Sequence, residues 1–219
     1  MAIVTFILGK SGTGKSTAMR NLDPANTLLI QALRKSLPFK NAKAKGWDYI
    51  TKETPRGNII VSDKSENIVT YMSRTQRKVI VIDDFQFTMA NEFMRRSDEK
   101  GYDKFTDIGR HAWDIMNAAT SLPDDVRVYI LSHTEETEDG RTKMKTLGKM
   151  LDDKVVLEGM VSIVLQTDVL DRDYRFVTQS NGRTSCKSPM GLFETDTIPN
   201  DLAEVDRAIS AYYDLTATA

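Results

Sequence analysis

Ile3-Val4-Thr5-Phe6-Ile7-Leu8, followed at once by Gly9-Lys10-Ser11-Gly12-Thr13-Gly14-Lys15-Ser16, is the stretch that decides the fold. The octet has the G-x-x-x-x-G-K-[ST] spacing, and the apolar hexad is a strand running into it. Successive backbone N–H groups must curl around a phosphate here, and only glycines let the chain approach so closely. Lys15 then reaches the β- and γ-phosphates, and the Ser16 hydroxyl can ligate Mg²⁺. A helix from about Lys15 to Leu22 points its positive end at the anion. Gly9, Lys10, Ser11, Gly12, Thr13, Gly14, Lys15, Ser16 and Thr17 are therefore the candidate nucleotide-binding residues. The bland alternative is a Gly/Ser turn between a strand and a helix, and the flanking context weighs against it.

Outward from the loop, 219 residues suit one α/β domain over 1–219, with a core at about 1–180 and a C-terminal loop and helix at about 181–219. The 30 basic and 31 acidic residues give a net charge of −1, so any nucleic-acid contact must be local. Cys186 is the single cysteine, which excludes an intrachain disulfide and points to a reducing, cytoplasmic setting. Met1-Ala2 leads straight into the first strand, and no apolar run approaches the ~18 residues a membrane span needs. Secretion and membrane association are not expected.

Further strands are expected at Asn26 to Gln31, Asn58 to Ser62, Lys78 to Ile82, Val126 to Ser132, Val161 to Thr167 and Tyr174 to Thr178. Residues 32–57, with Leu37-Pro38-Phe39 and Thr54-Pro55-Arg56-Gly57, read as a surface excursion. Helices are expected at 65–77 with Ser65 as cap, within 86–106, from Thr106 to Leu122, around Leu147 to Leu151, and from Asp201 to Tyr213 with Leu202, Val205, Ile209 and Tyr212 inward. The uninterrupted run Lys78-Val79-Ile80-Val81-Ile82 has the character of a strand buried on both faces.

That run ends in Asp83-Asp84. A carboxylate at the end of a neighbouring strand can hold Mg²⁺ opposite Ser16, which makes Asp83 and Ser16 the candidate metal residues. The spacing of the intervening strand and helix places the Asp83 strand beside the first strand, an order that by analogy marks the RecA and AAA division. Asp84 is a candidate to orient or deprotonate water; the alternative is a turn cap. Glu66, or Asp63 at the preceding strand end, competes for the same role. Ser132 and His133 end the Val126 strand on this edge, where His133 can sense a γ-phosphate or serve only as a satisfied structural group. His111 reads as structural.

Lys10 can reach across a subunit interface or stand as a solvated loop charge. Arg141, Lys143 and Lys145 follow the sensor strand, where cations can neutralise DNA phosphates or reach a neighbouring subunit's γ-phosphate. Glu135, Glu136, Glu138 and Asp139 share that loop and argue against tight passive DNA binding. Arg95, Arg96, Lys100 and Lys104, interleaved with Tyr102 and Phe105, form a second candidate strip for stacking and backbone contacts, or an ordinary amphipathic surface.

The chain resembles the short RecA-like ATP-binding proteins of bacteriophages, often called AAA family ATPases, which include single-strand-annealing recombination factors. The resemblance runs through Phe6 to Ser16, Val79 to Gln86, Ala90 to Arg96, Gly101 to Phe105, Leu131 to Glu135, Lys145 to Leu151, Thr178-Gln179 and Lys187 to Gly191. It implies a RecA-like, mostly parallel sheet with flanking helices, ATP and Mg²⁺ as ligands, and ATP hydrolysis in phage DNA recombination or replication. Single-stranded DNA, a single-strand-binding protein and further copies of the chain are the implied partners, in the host cytoplasm. Two rivals stay open: a nucleotide-gated assembly protein with little turnover, and a small-molecule or nucleotide kinase clamping phosphate with Arg95, Arg96 and Arg110. A GTPase and a transport ATPase are disfavoured, since no N-K-x-D or L-S-G-G-Q segment occurs.

Overall fold

Nearly continuous apolar segments become strands because both faces of the sheet are covered. The computed structural model describes residues 1–148 and 150–215; Lys149 and 216–219 lie outside the described residues. Ile3–Gly9 forms β1, and the phosphate loop leads into a short 3₁₀ helix, Ser16–Asn21. β2 (Thr27–Gln31), β3 (Ile59–Val61), α1 (Ser65–Arg74), β4 (Val79–Asp83), α2 (Gln86–Arg95) and α3 (Asp103–Thr120) follow. β5 (Arg127–Glu136) and β6 (Thr142–Met144) form a hairpin, and Met150–Val155 and Leu157–Met160 are short helical turns. β7 (Ile163–Leu170), β8 (Asp173–Val177), β9 (Thr197–Pro199) and α4 (Leu202–Tyr212) complete the order.

The sheet runs β3-β2-β4-β5-β1-β7-β8-β9, with β6 paired to β5. It is parallel from β3 through β7, and antiparallel at β7–β8, β8–β9 and β5–β6. Side chains alternate between two cores. Val4, Phe6, Leu8, Ile80, Ile82, Val128 and Ile130 face α1, α2 and α3, where Ile68, Met89, Ile108, Ile115 and Met116 are buried. Ile7, Val79, Val81, Tyr129 and Leu131 face the other way, against Ala18 and Met19 of the 3₁₀ helix and Leu202, Val205 and Ile209 of α4. Each such fully buried side chain contributes roughly 1.5–3 kcal/mol. The result is an α/β fold, a mostly parallel nine-strand sheet flanked by helices on both faces.

Several expectations are corrected. The Asp83 strand does not lie beside β1: β5 pairs with both and separates them. Distance along the chain does not set lateral order, because long crossovers can pass over several strands of a sheet covered on both faces. The helix after the loop is a six-residue 3₁₀ segment that ends before Pro24, so little helix dipole is directed at the loop. Lys64, extended, precedes α1, so Ser65 is its first residue and makes no capping bond. The polar segment after Ser132 is a hairpin in which β5 continues through His133 to Glu136. Residues 32–57 are not wholly superficial: Trp47 is buried, edge-on to Phe39 at 6.2 Å, and Tyr49 bridges to Ile59. Tyr212 is exposed rather than inward. The helix expected at Leu147 to Leu151 runs over Lys149, outside the described residues, and the helical turn described there is Met150–Val155. Among the described residues, no helix is long and apolar enough to cross a membrane.

Candidate functional site

Parallel register brings the carboxyl ends of β1, β4 and β5 to one edge, with Gly9 level with His133 and Asp83 level with Gln31 of β2. Open parallel sheets bind ligands at this edge. The loop after β1 needs its glycines: Gly12 and Gly14 have φ of +78° and +94°, and a Cβ on Gly9 would stand 1.8 Å from Thr167 Oγ1. Thr13 Oγ1 donates to the Lys10 carbonyl at 2.7 Å and shares a 2.6 Å hydrogen bond with Thr167. Lys15 Nζ, buried, donates to the Gly9 and Lys10 carbonyls at 2.8 and 2.9 Å, which seats the ammonium inside the loop. Burial lowers its pKa to about 8, against the opposing pull of Asp83 and Asp84. Ser11 and Thr17 line the cavity with it.

Ser16 Oγ donates to Asp83 Oδ1 at 2.9 Å. Asp83 is buried, and that burial, with Asp84 beside it, raises its pKa to about 6 despite the Ser16 hydrogen bond and the nearby lysines. A hydroxyl and a carboxylate this close are the hard oxygen donors Mg²⁺ takes when it keeps water and phosphate as its other ligands. Among the described residues no group of three or more His, Cys, Asp or Glu could hold a metal unaided. A cation held by this pair would take its remaining ligands from elsewhere.

Asp84 adopts φ of +61°, a left-handed conformation that aspartate tolerates better than most residues. Its carboxylate meets Lys35 Nζ at 2.6 Å and lies 3.6 Å from His133 Nε2. Burial pushes the Asp84 pKa up, but the His133 and Lys35 side chains outweigh it and hold the carboxyl below its ordinary value. The His133 main-chain N–H donates to Gln86 Oε1 at 3.3 Å, tying β5 to the start of α2.

The other candidates distribute unevenly. Glu66 lies exposed on α1, and the Asp63 carboxylate is taken by Arg95 at 2.6 Å and Asn91 at 2.8 Å, so neither lines the cavity. His111 pairs with Glu92 at 2.8 Å. Lys10 pairs with Glu136 of its own chain at 3.6 Å, both well exposed. Arg141 meets Asp139 at 3.1 Å and Lys143 meets Glu135 at 3.2 Å on the hairpin, while Lys145, exposed, borders a second cavity with Ser11 and His133. In the basic-aromatic strip, Arg96 is bound by Glu92, Glu99 and Asp107, and Lys104 lies over Phe93 and Phe105.

A cavity of about 600 Å³ unites Lys15, Ser16, Asp84 and His133. It also includes residues that sequence reasoning missed: Arg20, Lys35, Pro38, Tyr174, Pro199 and Asn200. Lys35 comes from the loop after β2, and Asn200 precedes α4, whose N-terminus Asp201 caps by accepting from the Ala203 N–H at 3.0 Å. Only the cap had a local signature.

No protein-family model matches this chain, and no curated protein matches it. Among solved structures, a DnaB-like replicative helicase, described with its interactions with primase, is similar with a TM-score of 0.47 at 14% sequence identity. The match covers 80% of this chain and 51% of the helicase chain, so the chain spans about half the length of that neighbour.

Proposed function

We propose that the chain binds ATP with Mg²⁺ and hydrolyses it, acting on single-stranded DNA in phage recombination or replication as an oligomer. The observation that carries the nucleotide reading is the Ser16–Asp83 contact beside a buried lysine seated in a glycine loop. In this reading Gly9 to Thr17 wrap the phosphates, Lys15 holds the β- and γ-oxygens, and Ser16 and Asp83 hold the cation. Bound Mg²⁺ supplies neutralisation of the charge that develops on the phosphates. Asp84 accepts a proton from the water that attacks the γ-phosphorus as the bond to the departing ADP oxygen breaks. His133 senses the γ-phosphate from β5. Arg141, Lys143 and Lys145 present the hairpin to DNA or to a neighbouring subunit, and a single-strand-binding protein is a fitting partner. Glu66, exposed on α1, is not among the residues that line the cavity.

The test is ATP turnover by the purified protein with and without single-stranded DNA. Stimulated turnover supports the reading; no turnover and no DNA binding overturn it. Lys15→Ala should abolish nucleotide binding, as read by calorimetry, and retained affinity would refute the loop's role.

One observation favours a second reading. Asp84 is held by Lys35 at 2.6 Å, which occupies the base. A nucleotide-gated assembly protein with little turnover would behave this way, and mass in solution with ADP against a non-hydrolysable ATP analogue separates the two. The kinase reading has less support, because Arg95, Arg96 and Arg110 pair with Asp63, Glu92, Glu99, Asp107 and Asp114 away from the cavity.

A further inference from the structure

The main cavity has two chemically different ends. Asp84 and Lys35 charge one of them, with His133 beside them, whereas Tyr174, Pro199 and Asn200 wall the other. Asn200 is 4% exposed, and its Nδ2 has no hydrogen-bond partner. A buried donor without an acceptor costs free energy that a ligand acceptor would recover. Its backbone is fixed: the Asn200 carbonyl accepts from Arg20 at 2.6 Å, and its N–H donates to the Tyr174 carbonyl at 3.2 Å. The carboxamide itself turns about χ2, a broad two-fold torsion. Both side chains abut the phosphate loop, since a Cβ on Gly14 would lie 3.0 Å from Tyr174 Cδ1 and 3.1 Å from Asn200 Oδ1. Tyr174 is 45% exposed, which leaves ring surface for a flat ligand.

We propose that Tyr174, Pro199 and Asn200 form the nucleoside subsite: the base of a nucleoside triphosphate stacks on the Tyr174 ring against Pro199, and the Asn200 amide turns to donate to the nucleoside. This rests on the reading of the loop as a triphosphate site. It fixes the ligand's direction, with the base over β8 and β9 and the γ-phosphate toward β4 and β5. Any base has a π-face to stack, so the aromatic contact supplies affinity and the amide supplies selection.

Calorimetry on the full chain with Mg²⁺ and either a non-hydrolysable ATP analogue or inorganic tripolyphosphate tests it. Tyr174→Ala and Asn200→Ala should each weaken the analogue roughly tenfold and leave tripolyphosphate unchanged, which also shows the loop still folded. Tyr174→Ala carries the test if the more buried Asn200 variant fails to fold. Unchanged analogue affinity in that variant overturns the subsite and leaves the phosphate reading standing. Equal loss of both ligands also overturns it, since the ring would then be supporting the loop. A wild-type protein that binds neither ligand overturns the subsite and the triphosphate reading together.

Discussion

Lys35 is half exposed, yet its ammonium ends on a carboxylate that is almost wholly buried. Such a pair positions Asp84 more than it stabilises the protein, because solvent screens the lysine. Lys35→Ala should lower ATP turnover by about tenfold or more with little change in nucleotide affinity, measured as kcat against KM. A rise in turnover would instead mean that the pair restrains the base, and would favour the assembly reading. Gly9 makes a steric prediction. An alanine there puts a methyl group 1.8 Å from Thr167 Oγ1, so Gly9→Ala should cost about 1–3 kcal/mol by urea unfolding. Adding Thr167→Ala should recover part of that loss. Neither residue's partner can be found from spacing. Thr167 is more than a hundred and fifty positions away, a separation of 154 from its loop neighbour Thr13, and meets the loop only through β1–β7 pairing.

At the scale of elements, α4 is fastened to the sheet through Asp206. Its carboxylate accepts from Arg127 at 3.0 and 2.9 Å and from the buried Tyr129 hydroxyl at 2.6 Å. Asp206→Ala leaves a partly buried guanidinium without its carboxylate, keeping only its 2.8 Å bond to the Asp125 carbonyl, and a buried phenol without its acceptor; it should cost about 3 kcal/mol in urea unfolding, and Asp206→Asn should cost less. The β5–β6 hairpin makes a different claim. Arg141 and its partner Asp139 are both well exposed, so their ion pair is weak and the guanidinium can be drawn to a phosphate. Arg141→Glu should weaken single-stranded DNA binding, lower its salt dependence by about one unit of log slope, and leave ATP-analogue binding intact. Elements of this kind were unequally legible. β1 and β4 stood out because cover on both faces leaves them continuously apolar, and α4 because its inward residues recur at helical spacing. The hairpin was not, since strands exposed outside the core carry polar residues and look like loop. The 3₁₀ helix was read as an ordinary helix because its sequence has helical character, while Pro24 and the fit of Ala18 and Met19 against the sheet determine its length and winding.

Across the whole molecule, the glycine turn after β1 and the closeness of Ser16 to Asp83 were legible because each belongs to one strand end. Strand order could not, because it is settled by how helices distribute over two faces, and β5 enters between β4 and β1 from farther along the chain. The Tyr174 end of the cavity was equally hidden, since Tyr174 on β8 and Asn200 just past β9 come from the antiparallel edge region and carry no motif. That same β5 has a mechanical consequence. It is one unbroken strand from Arg127, deep between its neighbours, to Glu136 on the hairpin, and His133 sits partway along it. From His133 to Glu136 the extended chain travels only about 10 Å. A shift at the histidine therefore has no hinge in which to dissipate before it reaches the arm, and a pull on the arm arrives at the histidine with equally little slack. Fixed in register by β1 and β4, the strand joins the two ends as one stiff piece.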